Sequence, residues 1–495
     1  MSRQRQELNR RDFMKIAGAG ALGMGLSGAV ALGASSGAAK PSRPNIVFVF
    51  ADQHRNCSWP LGGDPQVKTP NLETMAREGV VFNHCISNHP LCSPYRASLL
   101  TGRYQQAHTV AGNVGGKGGL PTTEVTIADL LKKAGYATGY VGKWHLYPGA
   151  AEGKPVPPGP DRHGFDWWRV CFNYRKRYET KYYDDDGAVV APREYAPKWQ
   201  MDLTMEFIEK NKQGPFFIAL SWHPPHSPYT EAPQRFVDLY SPEQIQLRPN
   251  VPEDNPKVRN DYALYFSHVS ALDEEMGRLM KKLAELGIAD NTIVCYSSDH
   301  GDMLSSFGLS AKNKPWEEAA NVPFVIRWPA GIPAGRRLDT LFATVDIAPT
   351  LLGLAGQPVL PQMQGADLSS ILRGENASGP ESVFIMGGAV AGTDQGEGGN
   401  EAEGEVKSGK AKAGRKKAKG EGTKAKGLGG WRGVRTKRHT YAKQGGKGGL
   451  QPWLLYDNEK DPYQMNNLID DPAHAQIRND LDALLGEWLK RVGEA

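Results

Sequence analysis

A large α/β domain, with helices on both faces of a mostly parallel sheet, followed by a smaller α+β domain with a short antiparallel sheet, is predicted by three observations on this 495-residue sequence. Continuous apolar runs recur between residues 45 and 329 without the alternation of a half-exposed strand. Helical patterns separate them, as crossovers between parallel strands require. The last stretch instead sets two strand-like segments close together ahead of one amphipathic helix. A chain this long exceeds one ordinary core, which places the larger domain at 43–384 and the smaller at 385–495.

The chain opens on "NRRDFMKIAGAGALGMGLSGAVALGASSGAAK", where Arg10 and Arg11 precede Phe13 and an apolar stretch of small residues. This resembles a twin-arginine export signal over residues 1–40, cleaved near Ala38 to Lys40. It implies the twin-arginine machinery as a partner and a periplasmic or secreted location. So many glycines and alanines make a poor permanent membrane span, and no later segment is apolar enough for one.

"NIVFVFADQ" then reads as a buried strand with Asp52 and Gln53 at its carboxyl end. "PFFIALSW", "NTIVCYSSDHGD" and "VPFVIRWP" read alike, and the second carries Asp299 and His300 at its end. Between them "TPNLETMAREG" and "TIADLLKKAG" read as helices. In the longer "DYALYFSHVSALDEEMGRLMKKLAELG", Tyr265, Val269, Leu272, Met276, Leu279 and Leu283 form one apolar stripe that stops at Gly287. "CSPYRASLLTG" reads as a helix with Pro94 in its first turn and Gly102 at its end. Cys92 then sits at the positive end of the helix dipole, with Arg96 on the same face. Residues 389–429 are rich in Gly, Lys and Glu and lack bulky apolar side chains, which predicts a flexible insertion. After it, "WRGVRTKRHTYA" and "WLLYDNEKDPYQMNNL" read as paired strands and a turn, and "IRNDLDALLGEWLKRV" as the closing helix.

The net charge of +5 does not point to nucleic acid. The run from Lys407 to Lys426 alone holds nine basic residues and one acid, Glu421, which exceeds the whole surplus. Five cysteines, at 57, 85, 92, 171 and 295, show no zinc or CxxC spacing. Taken alone, Cys92 is either a buried structural thiol or a reactive one with its pKa lowered by the helix end.

The same segment carries Cys-x-Pro-x-Arg followed by Thr-Gly-Arg, formed by Cys92, Pro94, Arg96, Thr101, Gly102 and Arg103. "GYATGYVGKWH", Gly135 to His145, follows it. In this order and spacing the two motifs resemble the formylglycine-dependent type I sulfatases, of the alkaline phosphatase-like superfamily. The resemblance runs on through "SDHGDMLSSFGLSAKNKPWEEA" to "LYDNEKDPYQMNNL". It implies an alkaline phosphatase-like α/β/α sandwich and conversion of Cys92 to Cα-formylglycine by a separate maturation enzyme. A hydrated aldehyde offers two hydroxyls on one carbon. One attacks the sulfur of a sulfate ester, and loss of the other's proton expels sulfate, so one slow step becomes two easier ones.

By the same resemblance Asp52, Gln53, Cys92, Asp299 and His300 surround a divalent ion, expected to be Ca²⁺ ahead of Mn²⁺ or Mg²⁺. Lys143 and Lys312 contact sulfate, and Arg96 holds the hydrate. His145 takes the hydrate's proton. His226 of "HPPHSPY" serves as general acid near the leaving oxygen, shared with Lys312, with His223 the competing choice. Gln53 departs from the adjacent pair of aspartates found in many sulfatases and removes one negative charge. The expected activity is sulfate ester hydrolysis on a sulfated small molecule or carbohydrate. The alternatives are a phosphonate or phosphate ester hydrolase of the same superfamily and a non-catalytic binder of sulfated glycans. "PDRHGFDWWRVCFNYRKRYETKYYDDDG", rich in aromatics and arginines, reads either as a sugar-binding rim or as a packed surface loop.

Overall fold

The computed structural model describes residues 43–375, 378–388, 429–446 and 449–494. The export-signal reading at 1–40 lies outside them, as does the insertion reading at 389–429 apart from Gly429, which begins a strand. The described residues form one compact unit.

Its main sheet has eleven strands: β1 (Asn45–Asp52), β2 (Val80–Ile86), β3 (Ala137–Lys143), β4 (Trp167–Phe172), β5 (Lys181–Tyr183), β6 (Val189–Val190), β7 (Phe216–Pro225), β8 (Thr292–Ser298), β9 (Asn321–Val322), β10 (Val325–Arg327) and β11 (Arg336–Ala343). Their order is β11-β2-β10-β8-β1-β7-β3-β4-β5-β6, with β9 beside β2. The central strands β8, β1, β7, β3 and β4 are mutually parallel. One sequence expectation is revised here. "VPFVIRWP" is not another long parallel strand but the short β9 and β10, and β10 runs antiparallel between β2 and β8. Pro323 between them lacks the N–H a ladder needs and divides the run.

β1 explains why the predicted strands lacked alternation. Ile46, Phe48 and Phe50 point into one apolar cluster, with Tyr95, Leu99 and Leu100 of the helix Cys92–Thr101. Val47, Val49 and Ala51 point into the other, with Leu272, Met276, Leu279 and Leu283 of the helix Pro256–Glu285. Both faces are covered, so neither can be polar. Tyr265 and Val269 continue the same helical stripe into a neighbouring cluster.

A second sheet, β12 (Ser382–Gly387), β13 (Gly429–Thr436), β14 (His439–Gly446) and β15 (Gly449–Asp457), is antiparallel throughout. The helix Ala475–Val492 covers it with Leu481, Leu485 and Trp488. Among the described residues no helix is long and apolar enough to cross a membrane, and all five cysteines are free thiols.

Leu272 is fully buried where the long helix meets β1. Leu272→Ala should therefore cost about 2–5 kcal/mol of stability. Urea denaturation should show a lower midpoint with an unchanged m-value, and an unchanged midpoint would contradict the packing described.

Candidate active site

β8, β1, β7 and β3 lie side by side, so their carboxyl ends form one edge, where open parallel sheets place their chemistry. Asp52 ends β1 and Lys143 ends β3, while Asp299 and His300 follow β8 and His226 follows β7. The helix Cys92–Thr101 points its N-terminus at this edge. Leu91 is extended before it and Gly102, at φ 64°, closes it in the left-handed region. Cys92 therefore stands at the first helical position, buried, as the sequence predicts.

Arg96, one turn further, is 1% exposed and ties these strand ends together. Nη2 donates to Asp299 Oδ2 at 3.1 Å and Asp52 Oδ2 at 3.4 Å. Nη1 donates to the Lys143 carbonyl at 2.8 Å and to Ser221 Oγ at 2.5 Å. Lys143 Nζ adds a 2.7 Å bond to Asp52 Oδ2. Burial pushes the Asp52 carboxyl up, but Lys143, with His226 and His300, outweighs it and holds the group well below the usual carboxylate range. For Lys143, burial lowers the pKa and Asp52 more than restores it, so the ammonium stays charged.

One ligand atom each from Asp52, Cys92, Asp299 and His300 lies within 4.8 Å of the others, and all four residues are buried. The donor chemistry fits a divalent cation. His300 Nδ1 lies 3.0 Å from the Gly301 carbonyl, where its N–H can donate, which leaves the Nε2 lone pair facing the cluster. Nε2 is 3.3 Å from Cys92 Sγ, 3.4 Å from Asp299 Oδ1 and 3.5 Å from Asp52 Oδ1. Burial lowers the His300 pKa, and Asp299 with Cys92 overcomes that and raises it. Burial and Asp52 push the Cys92 thiol up, but Lys143, Lys312 and His300 prevail and bring it below an ordinary thiol.

Gln53 presents its side chain beside the cluster, donating from Nε2 to Asp302 Oδ2 at 2.6 Å and accepting from Lys312 Nζ on Oε1 at 2.9 Å. Gln53 and His145 both have positive φ, 75° and 58°. Such non-glycine strain costs on the order of 1–3 kcal/mol and collects at functional sites.

Three further histidines lie at the same edge. His226 Nδ1 lies 2.8 Å from the Ser227 carbonyl and Nε2 accepts from Lys312 Nζ. Burial and the Lys312 charge depress its pKa well below the ordinary value. His223 stacks on His226 with ring centroids 4.6 Å apart, and both its nitrogens are buried without a partner among the described residues. His145 Nδ1 is likewise unpartnered. Every residue that the sequence singled out for catalysis or metal binding thus falls on this one edge.

Sequence reasoning missed three neighbours. The Tyr174 ring lies 4.9 Å from Lys143 Nζ and 4.7 Å from the His223 ring. Arg177, 0% exposed, donates to the carbonyls of Tyr174, Arg175, His226 and Pro228. Asp302 sits two residues after His300. Tyr174 and Arg177 belong to the aromatic-rich segment, whose two readings divide: Phe165 and Trp168 are core, whereas Tyr174 and Arg177 reach the site. Asp302 was visible as the third acid-or-histidine position of "SDHGD". Arg103, by contrast, donates from Nη1 to both carboxylate oxygens of Glu124 and stays out of the cluster.

A sheet edge that gathers a helix-end cysteine, two buried acids and buried cations defines an alkaline phosphatase-like hydrolase. The sulfatase family model matches residues 44–357, and the chain belongs to that family, the sulfuric ester hydrolases. It is 33% identical over 470 residues to an ulvan-active sulfatase of Formosa agariphila, covering 92% of this chain and 83% of that one. It is 31% identical over 508 residues to an endo-4-O-sulfatase of Bacteroides thetaiotaomicron, covering 92% and 94%. A solved structure from work on glycosaminoglycan metabolism by Bacteroides thetaiotaomicron superposes with a TM-score of 0.78 at 28% identity, over 92% of this chain and 97% of that one.

A cation held only by the folded cluster should raise Tm as its concentration rises. Differential scanning fluorimetry with Ca²⁺, Mn²⁺ and Mg²⁺ in turn should show a saturable rise for at least one. Asp299→Asn should abolish it, and an equal rise in that variant would remove the ion from this cluster.

Proposed function

We propose that this protein is exported and hydrolyses sulfate esters of a sulfated carbohydrate through a formylglycine hydrate made from Cys92, releasing inorganic sulfate. The observation that carries the reading is the meeting of Cys92, Asp52, Asp299 and His300 within 4.8 Å on an edge that also holds Arg96, Lys143 and Lys312. Relatives named for ulvan and for 4-O-sulfate support a glycan over a simple aryl ester.

A sulfate ester offers a protein little to grip except its charged oxygens, and buried cations act on such charge far more strongly than exposed ones. In this reading Lys143 and Lys312 hold the nonbridging oxygens and Arg96 holds the hydrate beside Asp52 and Asp299. Asp52, Asp299, His300 and the oxygen that replaces Cys92 Sγ, with Gln53 at the margin, hold a divalent cation, expected to be Ca²⁺, which polarises the reacting oxygens when bound. His145 takes the hydrate's proton when sulfate leaves. The leaving oxygen is protonated by His226 and Lys312 together. His226 Nε2 accepts from Lys312, so in the resting pair the transferable proton sits on Lys312 Nζ. His223, stacked behind, keeps His226 in plane.

Gln53 is the one observation that favours a phosphonate or phosphate ester instead. Rates on an aryl sulfate and an aryl phosphonate of the same leaving group decide it. The proposal expects the sulfate to be preferred, and a phosphonate preference of orders of magnitude would overturn it.

Cys92→Ala should lower kcat by about 10⁴-fold or more, because the residue lost is the nucleophile itself. A glycan binder without catalysis would be indifferent to that change. In protein made alongside a maturation enzyme, the peptide spanning residues 91–103 should be lighter by about 18 Da, the difference between thiol and aldehyde. An active protein that retains the thiol would contradict the mechanism.

A further inference from the structure

Gln53 replaces a carboxylate at a buried position, and each of its polar groups is bonded. Its backbone N–H donates to Asp299 Oδ1 at 3.0 Å and its carbonyl accepts from Tyr265 Oη at 2.6 Å. These bonds fix a backbone already in the left-handed region. Its side-chain amide then lies between Asp302 and Lys312. The two ends of an amide have the same shape and differ only in what they can bond.

We infer that Asp302 is a positioning residue that sets the orientation of the Gln53 amide and, through it, the place of Lys312. The Asp302 carboxylate only accepts and the Lys312 ammonium only donates. One orientation satisfies both, with Nε2 toward Asp302 and Oε1 toward Lys312. A flipped amide would set oxygen against carboxylate and N–H against ammonium. Asp302 is itself held. Oδ1 accepts from the Leu304 N–H at 2.9 Å, and Oδ2 accepts from Tyr229 Oη as well as from Gln53. The chain of bonds runs Tyr229, Asp302, Gln53, Lys312, His226, and it ends on the pair that protonates the leaving oxygen.

This accounts for the glutamine. A carboxylate at position 53 would face the Asp302 carboxylate where both positions are buried, and would have no donor to offer it. The amide of Gln53 is what connects Asp302 to Lys312.

The test is a charge swap. Gln53→Glu is isosteric and opposes Asp302 with a like charge. Asp302→Asn removes the acceptor that orients the amide. In the double variant Q53E/D302N the new amide at position 302 can donate to the new carboxylate at position 53, which still accepts from Lys312. Each single variant should lower kcat/KM on an aryl sulfate by about 10- to 100-fold, as loss of an orienting partner does, and the double should recover at least half of the loss on a logarithmic scale. A double variant equal to the product of the singles, or a parental Q53E, would overturn the inference. The kinetic arm rests on the sulfatase reading. Urea midpoints of the same four proteins test the pairing without turnover, so an inactive parent would sink that reading alone. Midpoints restored in the double support the pairing, and additive losses overturn it. Should D302N not fold, folding of Q53E/D302N is itself the rescue, and failure of both overturns the proposal.

Discussion

The site depends on one buried guanidinium. Arg96 reaches from the helix that begins at Cys92 and bonds the end of β1 through Asp52, the residue after β8 through Asp299, the end of β3 through the Lys143 carbonyl, and β7 through Ser221. Those four strands are consecutive in the sheet. A single side chain therefore fixes where Cys92 stands relative to both acids. Burying an arginine is costly unless its charge is matched, and here two carboxylates match it while two neutral oxygens accept from Nη1 and Phe50 covers the face at 5.0 Å; Nε alone among its nitrogens has no partner among the described residues. Lys143 repeats the pattern at smaller scale on Asp52.

The charges also explain the histidines. Cations on this edge lower the pKa of His145, His223 and His226 beyond what burial alone does, chiefly through Lys143, Arg177 and Lys312 respectively. His300 goes the other way because the acids and Cys92 face it. The edge thus separates into a half where imidazoles stay neutral and can accept protons, and a half where donor atoms are suited to a cation.

The central strands were legible because both their faces are apolar, and the cysteine helix because Pro94 and Gly102 mark its two ends. Lys143 and Lys312 were legible only through motif resemblance, since a lysine in isolation reads as a solvated one. What stayed hidden has physical reasons. Strand direction does not show in an apolar run, so β10 read like its parallel neighbours. Arg177 works by holding carbonyls, and a carbonyl leaves no trace in side-chain identity. Gln53 showed as a missing charge, but the partner that makes sense of it, Asp302, is 249 residues away and meets it only across the sheet edge.

In the proposed reaction the edge built around Arg96 directs attack to the sulfur of a sulfate ester and not to the carbon that bears it. Hydrolysis of a sulfated carbohydrate in oxygen-18 water reads this directly. Attack at sulfur leaves the original oxygen on the sugar and places the heavy isotope in the released sulfate. Heavy oxygen in the sugar hydroxyl would contradict the account.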